Sequence, residues 1–296
     1  MAQTKTVAAL GFFDGVHIGH AALLRRVCER AAEMRLEPVV ISFDTHPDTL
    51  VRGVHVPLIN SALDRRGIVS REFGIDCTEL LHFDREMMQM LPEDFIFHIY
   101  ERYGAQHLVV GHDFRFGYRG SGCTENLPAL CERYAMTCEV IEPVLADGRV
   151  VSSTEIRELL ADGRLAEANM LLGHPHVLTG IIQKGFRMGH TLNFPTINMR
   201  FEENVLAPRF GVYASKVILP EGSFPAVTNI GVRPTLGRED VTVESHILRF
   251  DRDLYGREVR VEFHAFLRPE ICFQDVETLQ KQIAVDAAAA EKFFSR

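Results

Sequence analysis

Apolar residues follow one period in the first half of the chain and another in the second. Thr6 to Leu10 is an apolar run of the length of a buried strand. From His20 to Arg35, the residues Leu23, Leu24, Val27, Cys28, Ala31 and Ala32 recur at three-to-four spacing, which predicts a helix. Pro38 to Phe43 (PVVISF) predicts a second strand and Leu108-Val109-Val110 a third. Strand, helix, strand in this order implies a right-handed crossover and a mostly parallel sheet. Ligands of such sheets sit at the carboxyl ends of the strands, near the switch point. After about residue 176 the period becomes two. EVRVEFHAFL puts Val259, Val261, Phe263, Ala265 and Leu267 on one face and Glu258, Arg260, Glu262, His264 and Phe266 on the other. VLTGIIQ, GVYASKVIL, FPAVTNIGV and VTVESHILRF are further strand-like runs between Gly and Pro turns. From Asp275 the pattern is helical again. The expectation is an α/β domain followed by an antiparallel barrel or sandwich with one terminal helix, divided near Gly173-His174-Pro175 where a helix would stop.

Composition narrows the classes. A length of 296 residues favours two domains, and 46% hydrophobic with 24% charged residues is ordinary for a soluble globular protein. No apolar run approaches a membrane span. The start, MAQTK, carries no small-residue cleavage site, so a cytoplasmic location is expected. Six scattered cysteines without a CxxC pair disfavour a zinc site and read as reduced thiols. A net charge of −8 allows a locally basic site for an anionic ligand but disfavours wrapping a nucleic acid.

The stretch GFFDGVHIGH, residues 11–20, follows the first strand. A helix starting at about His17 would put His17 and His20 on one face of its first turn, where unpaired amides and the helix dipole favour phosphate. Gly15 and Gly19 would let a ligand approach the backbone. A glycine-rich turn with a capping aspartate and two surface histidines explains the spacing equally well. VSSTEIRELL, residues 151–160, has a capping box in Ser152 and Glu155 and aims Ser153, Thr154 and Arg157 at one helix end, which suits a polyphosphate. In GHDFRFGYRGSG, Phe114 and Phe116 could stack on a flat ring, Asp113 could accept hydrogen bonds, and Arg115 could pair with a phosphate; an aromatic loop packed on the core is the plainer alternative.

Together these stretches resemble the nucleotidyltransferase half of the prokaryotic bifunctional riboflavin kinase/FMN adenylyltransferase (FAD synthetase) family. The family pattern GxFDGVHxGH, a strand ending F-(D/E)-x-H-P, GxDFRFG and SSTxIR stands here as Gly11–His20, Phe43–Pro47, Gly111–Gly117 and Ser152–Arg157. The resemblance continues through GHTLNFPTINM (189–199), GVYASKV (211–217), NIGVRPTLG (229–237) and VESHILRFDRDLYGREVRVEF (243–263), and so covers nearly the whole chain.

The resemblance implies an α/β nucleotidyltransferase (Rossmann-like) domain over residues 1–173 and a riboflavin kinase β-barrel with a C-terminal helix over residues 176–296. It implies riboflavin, FMN and ATP as substrates, with Mg²⁺. In the first domain it implies His17 and His20 as catalytic, Gly11, Phe13, Asp14, Gly19, Ser153, Thr154 and Arg157 toward ATP, and Phe43, His46, Asp113, Phe114 and Phe116 toward flavin. In the second, Thr196 and Asn198 offer neutral oxygens suited to Mg²⁺ bridged to phosphate. Glu244, which strand alternation points away from Val243, corresponds to the base for the ribityl hydroxyl. Four positions depart from the pattern: His190 and His174 stand for arginines, Asn193 for a glycine and Thr45 for a proline. A neutral imidazole holds phosphate less firmly than arginine, so His190 bears on ATP affinity in the kinase. A chain with one surviving activity, or a flavin-binding regulator, also fits the sequence.

Overall fold

The computed structural model describes residues 4–183, 194–235 and 238–295, so His190 and Asn193 lie outside the described residues. The chain forms two compact units, Met1–Leu58 with Ala62–Ser153, and Ile59–Ser61 with Thr154–Arg296.

The first unit contains β1 (Thr6–Leu10), α1 (Ile18–Met34), β2 (Glu37–Phe43), α2 (Pro47–Val51), α3 (Ala62–Phe73), β3 (Thr78–Leu81), α4 (Arg85–Gln89), α5 (Pro92–Tyr103) and β4 (Ala105–Gly111). It continues through a hairpin of β5 (Arg115–Phe116) and β6 (Gly122–Cys123), α6 (Leu127–Glu132), β7 (Thr137–Ile141) and a hairpin of β8 (Leu145–Ala146) and β9 (Arg149–Val150). Five strands pair in parallel in the order β3-β2-β1-β4-β7. β1 is central because it is apolar on both faces: Val7, Ala8 and Ala9 are completely buried. Its end, Leu10, pairs with Ile41 of β2 and Val110 of β4, so the following loop emerges where the strand order reverses. The core around it takes Phe95, Ile96 and Ile99 from one face of α5, each contributing roughly 1.5–3 kcal/mol by its burial. Two strands, β3 and β7, join the three that periodicity predicts.

α7 (Ser153–Asp162) and α8 (Leu165–Leu172) come next, and α8 stops where expected, at Gly173 with φ 79. Asn169 of α8 ties it to the barrel, donating to the Phe263 carbonyl at 2.9 Å and accepting from the His176 amide at 2.8 Å. The second unit then adds β10 (His176–Ile181), β11 (Ile197–Met199), β12 (Gly211–Leu219), β13 (Gly222–Thr235), β14 (Arg238–Ile247), β15 (Glu258–Arg268) and α9 (Val276–Phe294). Its six strands pair antiparallel in the order β10-β15-β12-β13-β14-β11. The Gln183 amide bonds the Asn198 carbonyl at 2.9 Å and bridges the two sheet edges, which curls the sheet into a barrel.

The expected alternation of β15 holds only as far as Phe263. Register against β12 jumps from Ser215↔Phe263 to Ala214↔Ala265, so His264 is an extra residue and the faces exchange. Phe266 then meets Tyr213 edge-on at 5.3 Å, while Ala265 and Leu267 pack with Val212, Ala214 and Ala290 under α9. Inside the barrel, the hydroxyls of Ser215, Thr228 and Ser245 form a buried chain with spacings of 2.6 and 2.7 Å.

His176 is completely buried beside Phe263 and Phe201, with ring centroids at 5.7 and 6.4 Å, and neither ring nitrogen has a hydrogen-bond partner among the described residues. Burial, reinforced by nearby His174, pushes its pKa down from 6.5 to about 3. The unfolded chain therefore takes up this proton first. The contribution to stability is complete above pH 6.5 and is lost as pH falls toward 3, at about 1.4 kcal/mol per pH unit. His176→Phe, which keeps the stacked rings, should remove that slope from urea unfolding of the second unit followed between these pH values. An unchanged slope would assign the acid sensitivity to other groups.

Candidate functional site

The loop after β1 turns on residues in the left-handed region: Phe13 (φ 52), Gly15 (φ 80) and Val16 (φ 43). For Phe13 and Val16 this conformation is unfavourable. Both side chains are 1% exposed, and their burial in the core offsets the strain. The turn delivers His17 to the N-cap of α1, where its Nδ1 accepts the His20 amide at 3.3 Å. Since Nδ1 accepts, the proton of the neutral ring sits on Nε2 and makes that nitrogen a donor. The two imidazoles stack with centroids 3.6 Å apart and planes 14° from parallel. The first turn of this 17-residue helix carries no acidic side chain, so its amides and dipole favour an incoming anion. The glycines serve the rings: a Cβ on Gly19 would stand 3.0 Å from the His17 ring, and one on Gly11 3.0 Å from the Phe13 ring.

The histidines are not on the surface, as exposed helix-start residues would be. His17 is 6% exposed and His20 half-buried, because Phe13 meets the His20 ring edge-on at 5.3 Å and His17 covers its face. Burial drives the His20 pKa well below the usual imidazole range, and the charges of His17 and Arg65 add to the effect. The His20 ring is therefore neutral at neutral pH.

The first residue of α7 is held at this loop: Ser153 Oγ donates to the Asp14 carbonyl at 2.9 Å. Thr154 and Arg157 follow on the same helix, exposed and half-buried. Asp14 and Phe13 are themselves buried, so only their backbone groups can face a ligand. At the end of β2, Phe43 meets Phe83 edge-on, and His46 caps α2 by accepting the Asp48 amide at 3.2 Å while its ring meets Phe12 at 4.8 Å. In the loop after β4, Asp113 is exposed and Phe114 half-buried. Phe116 belongs to the core, 6% exposed between Phe95 and Phe114 with centroids at 5.5 and 5.3 Å. That burial leaves Phe116 no open face for a ligand ring; it supports Phe114 instead.

In the second unit the register sets Asn198, Glu244 and Asn229 side by side across β11, β14 and β13. Val243 and Ser245 point inward, 0% and 1% exposed, so Glu244 lies half-buried on the outer face. Two clefts flank this part of the sheet, and Glu244 lines the smaller of them. One of about 610 Å³ is lined by Pro195, Thr196, Ser245, Phe250, Arg252 and Tyr255 among others. The other, about 290 Å³, is lined by Phe194, Thr196, Asn229, Glu244, Glu270 and Phe273 among others. Thr196 lines both. Among the described residues no group of three or more His, Cys, Asp or Glu could hold a metal ion.

The sequence model of the FAD synthetase family matches residues 1–155, and that of riboflavin kinase matches residues 172–294. Three proteins named bifunctional riboflavin kinase/FMN adenylyltransferase match over nearly full length. That of Pseudomonas fluorescens is 36% identical over 96% of this chain and 91% of its own. That of Escherichia coli K12 is 34% identical over 99% and 94%, and that of Listeria monocytogenes 31% over 98% and 93%. The chain belongs to the bifunctional riboflavin kinase/FMN adenylyltransferase family. A crystal structure from Streptococcus pneumoniae, described as a macrolide-efflux protein, is 27% identical and superposes with a TM-score of 0.84 over 98% of this chain and 95% of that one. Among the described residues no helix is long and apolar enough to cross a membrane.

Beside these residues the structure places three that the sequence did not mark, Arg65, Asn229 and Glu270. Asn229 and Glu270 touch through Nδ2 and Oε1 at 3.3 Å, and strand pairing beside Glu244 was the signal for Asn229. Arg65, 1% exposed, gave no signal, because a charged residue in a helix reads as solvated. In an NMR pH titration the His20 ring should protonate only well below the usual imidazole range. A midpoint in the usual imidazole range would show that the ring is hydrated and the stack open.

Proposed function

We propose that this chain converts riboflavin to FMN and then FMN to FAD, each step using one ATP. Residues 176–296 would carry the kinase and residues 1–173 the adenylyltransferase. The carrying observation is Thr196 lining two clefts with Glu244 in one of them, as two substrates exchanging a phosphoryl group require. The larger cleft suits ATP. The smaller, with Phe194 and Phe273 in its wall, suits a flat flavin ring.

In the kinase step Glu244 accepts the proton of the terminal ribityl hydroxyl, whose oxygen attacks the γ-phosphorus as the bond to ADP breaks. Thr196 and Asn198 would hold Mg²⁺, which would neutralise phosphate charge. In the adenylyl step a phosphate oxygen of FMN attacks the α-phosphorus of a second ATP and pyrophosphate leaves. That oxygen is already anionic, so no base is needed. His17, His20, Ser153, Thr154, Arg157 and the start of α1 would stabilise the developing charge, with the backbone of Gly11, Phe13, Asp14 and Gly19 shaping the turn beneath it. Phe43, His46, Asp113 and Phe114 are assigned to the flavin side, with Phe116 behind Phe114. All six cysteines are free thiols, which supports a cytoplasmic enzyme.

Two variants separate the steps when riboflavin, ATP and Mg²⁺ are supplied and the products resolved by chromatography. Glu244→Gln should lower FMN formation by roughly a hundred- to ten-thousandfold, with FAD formation from added FMN unchanged. An unaltered kinase rate would return Glu244 to an ordinary strand residue. His20→Ala should do the reverse, accumulating FMN as FAD formation falls on the order of a hundredfold. Because the ring is packed, this variant should also cost the first unit about 1–3 kcal/mol. Normal FAD output at both low and saturating ATP would remove His20 from the site.

A further inference from the structure

Arg65, the fourth residue of α3, lies behind the Gly11–His20 loop, and no other lysine or arginine among the described residues is as deeply buried. Its Nη1 donates to the Phe12 carbonyl at 3.0 Å and to Ser42 Oγ at 3.2 Å, and Ser42 Oγ donates to the same carbonyl at 2.6 Å. The guanidinium carbon lies 5.2 Å from the centre of the Phe12 ring, whose other neighbour is His46. One cation thus joins the residue before the left-handed turn to the carboxyl end of β2. A guanidinium withdrawn from water is costly, and this one directs a charged hydrogen bond at the Phe12 backbone carbonyl. That carbonyl precedes Phe13, where the chain must adopt φ 52 to bring His17 to the helix cap.

We propose that Arg65 is a positioning residue for adenylyl transfer, fixing the Phe12 carbonyl and the turn beyond it while keeping a permanent positive charge behind His17 and His20. The proposal rests on the adenylyltransferase reading. Arg65 itself touches no substrate. The charged groups acting on His20 are His17, from the start of its own helix, and Arg65, from α3; both disfavour a proton on the ring. Arg65 therefore adds a fixed charge behind the loop, and the His20 ring is held in its neutral form.

The test compares Arg65→Lys and Arg65→Met in the full chain, measuring FAD formation from FMN and ATP together with the NMR titration of His20. Lysine keeps the charge and loses the planar fork. It should lower kcat by about tenfold and leave the His20 midpoint in place. Methionine loses both, so kcat should fall about a hundredfold or more and the His20 midpoint should rise measurably while burial still holds it below the ordinary imidazole value. FMN formation from riboflavin should match the wild type in both. Wild-type kcat in both variants would overturn the proposal. An unmoved His20 midpoint in Arg65→Met would overturn it too, leaving Arg65 a structural prop. Should Arg65→Met fail to fold, Arg65→Lys decides: reduced kcat with a wild-type midpoint supports positioning, and unchanged kcat refutes it. A wild-type chain that makes no FAD would mark the failure of the underlying reading, and the proposal would fall with it.

Discussion

A histidine ring used as a helix cap is the constraint on which the first unit's site depends. His17 spends its Nδ1 on the His20 amide, which fixes the tautomer, lays one imidazole over the other and leaves the remaining helix-start amides for an anion. Serine or aspartate would cap the helix as well and supply no second ring. The cost is a backbone that turns through the left-handed region at Phe13 and Val16, and core burial of both side chains holds it there. Glycine at 19 follows from the same packing, since a methyl group would press on the His17 ring.

In the second unit the corresponding constraint is the pleat of β14. Ser245 is drawn inward by the hydroxyl chain through Thr228 to Ser215, so its neighbour Glu244 must face outward. The register then brings Asn198 and Asn229 to either side of the carboxylate. Both candidate sites thus sit where rigid strands deliver short polar loops or outward side chains, which places reactive groups more precisely than a long loop could.

Much of this was legible in the sequence because it depends on local chemistry. The apolar run of β1, the three-to-four spacing of α1, the stop at Gly173 and the outward direction of Glu244 are all consequences of near neighbours. What was not legible depends on distant packing. β3 and β7 are short, mixed in polarity and held by the strands beside them, so periodicity alone does not mark them. The bulge at His264 exchanges the faces of β15 and is fixed by its pairing with β12. Phe116 and Phe114 look alike in GHDFRFG, yet the core takes one and leaves the other half-exposed. The His20 ring is covered by Phe13 and by His17, and a turn sequence rich in glycine and histidine gives no sign of it.

The most direct measurement follows the fate of labelled phosphorus when riboflavin and Mg²⁺ are supplied with ATP labelled at either the γ- or the α-position. Two consecutive transfers on one chain predict γ-label in FMN and in the flavin-side phosphate of FAD, with α-label, among the flavins, confined to FAD. Flavin products that carry no γ-label, or α-label appearing in FMN, would contradict the two-step account.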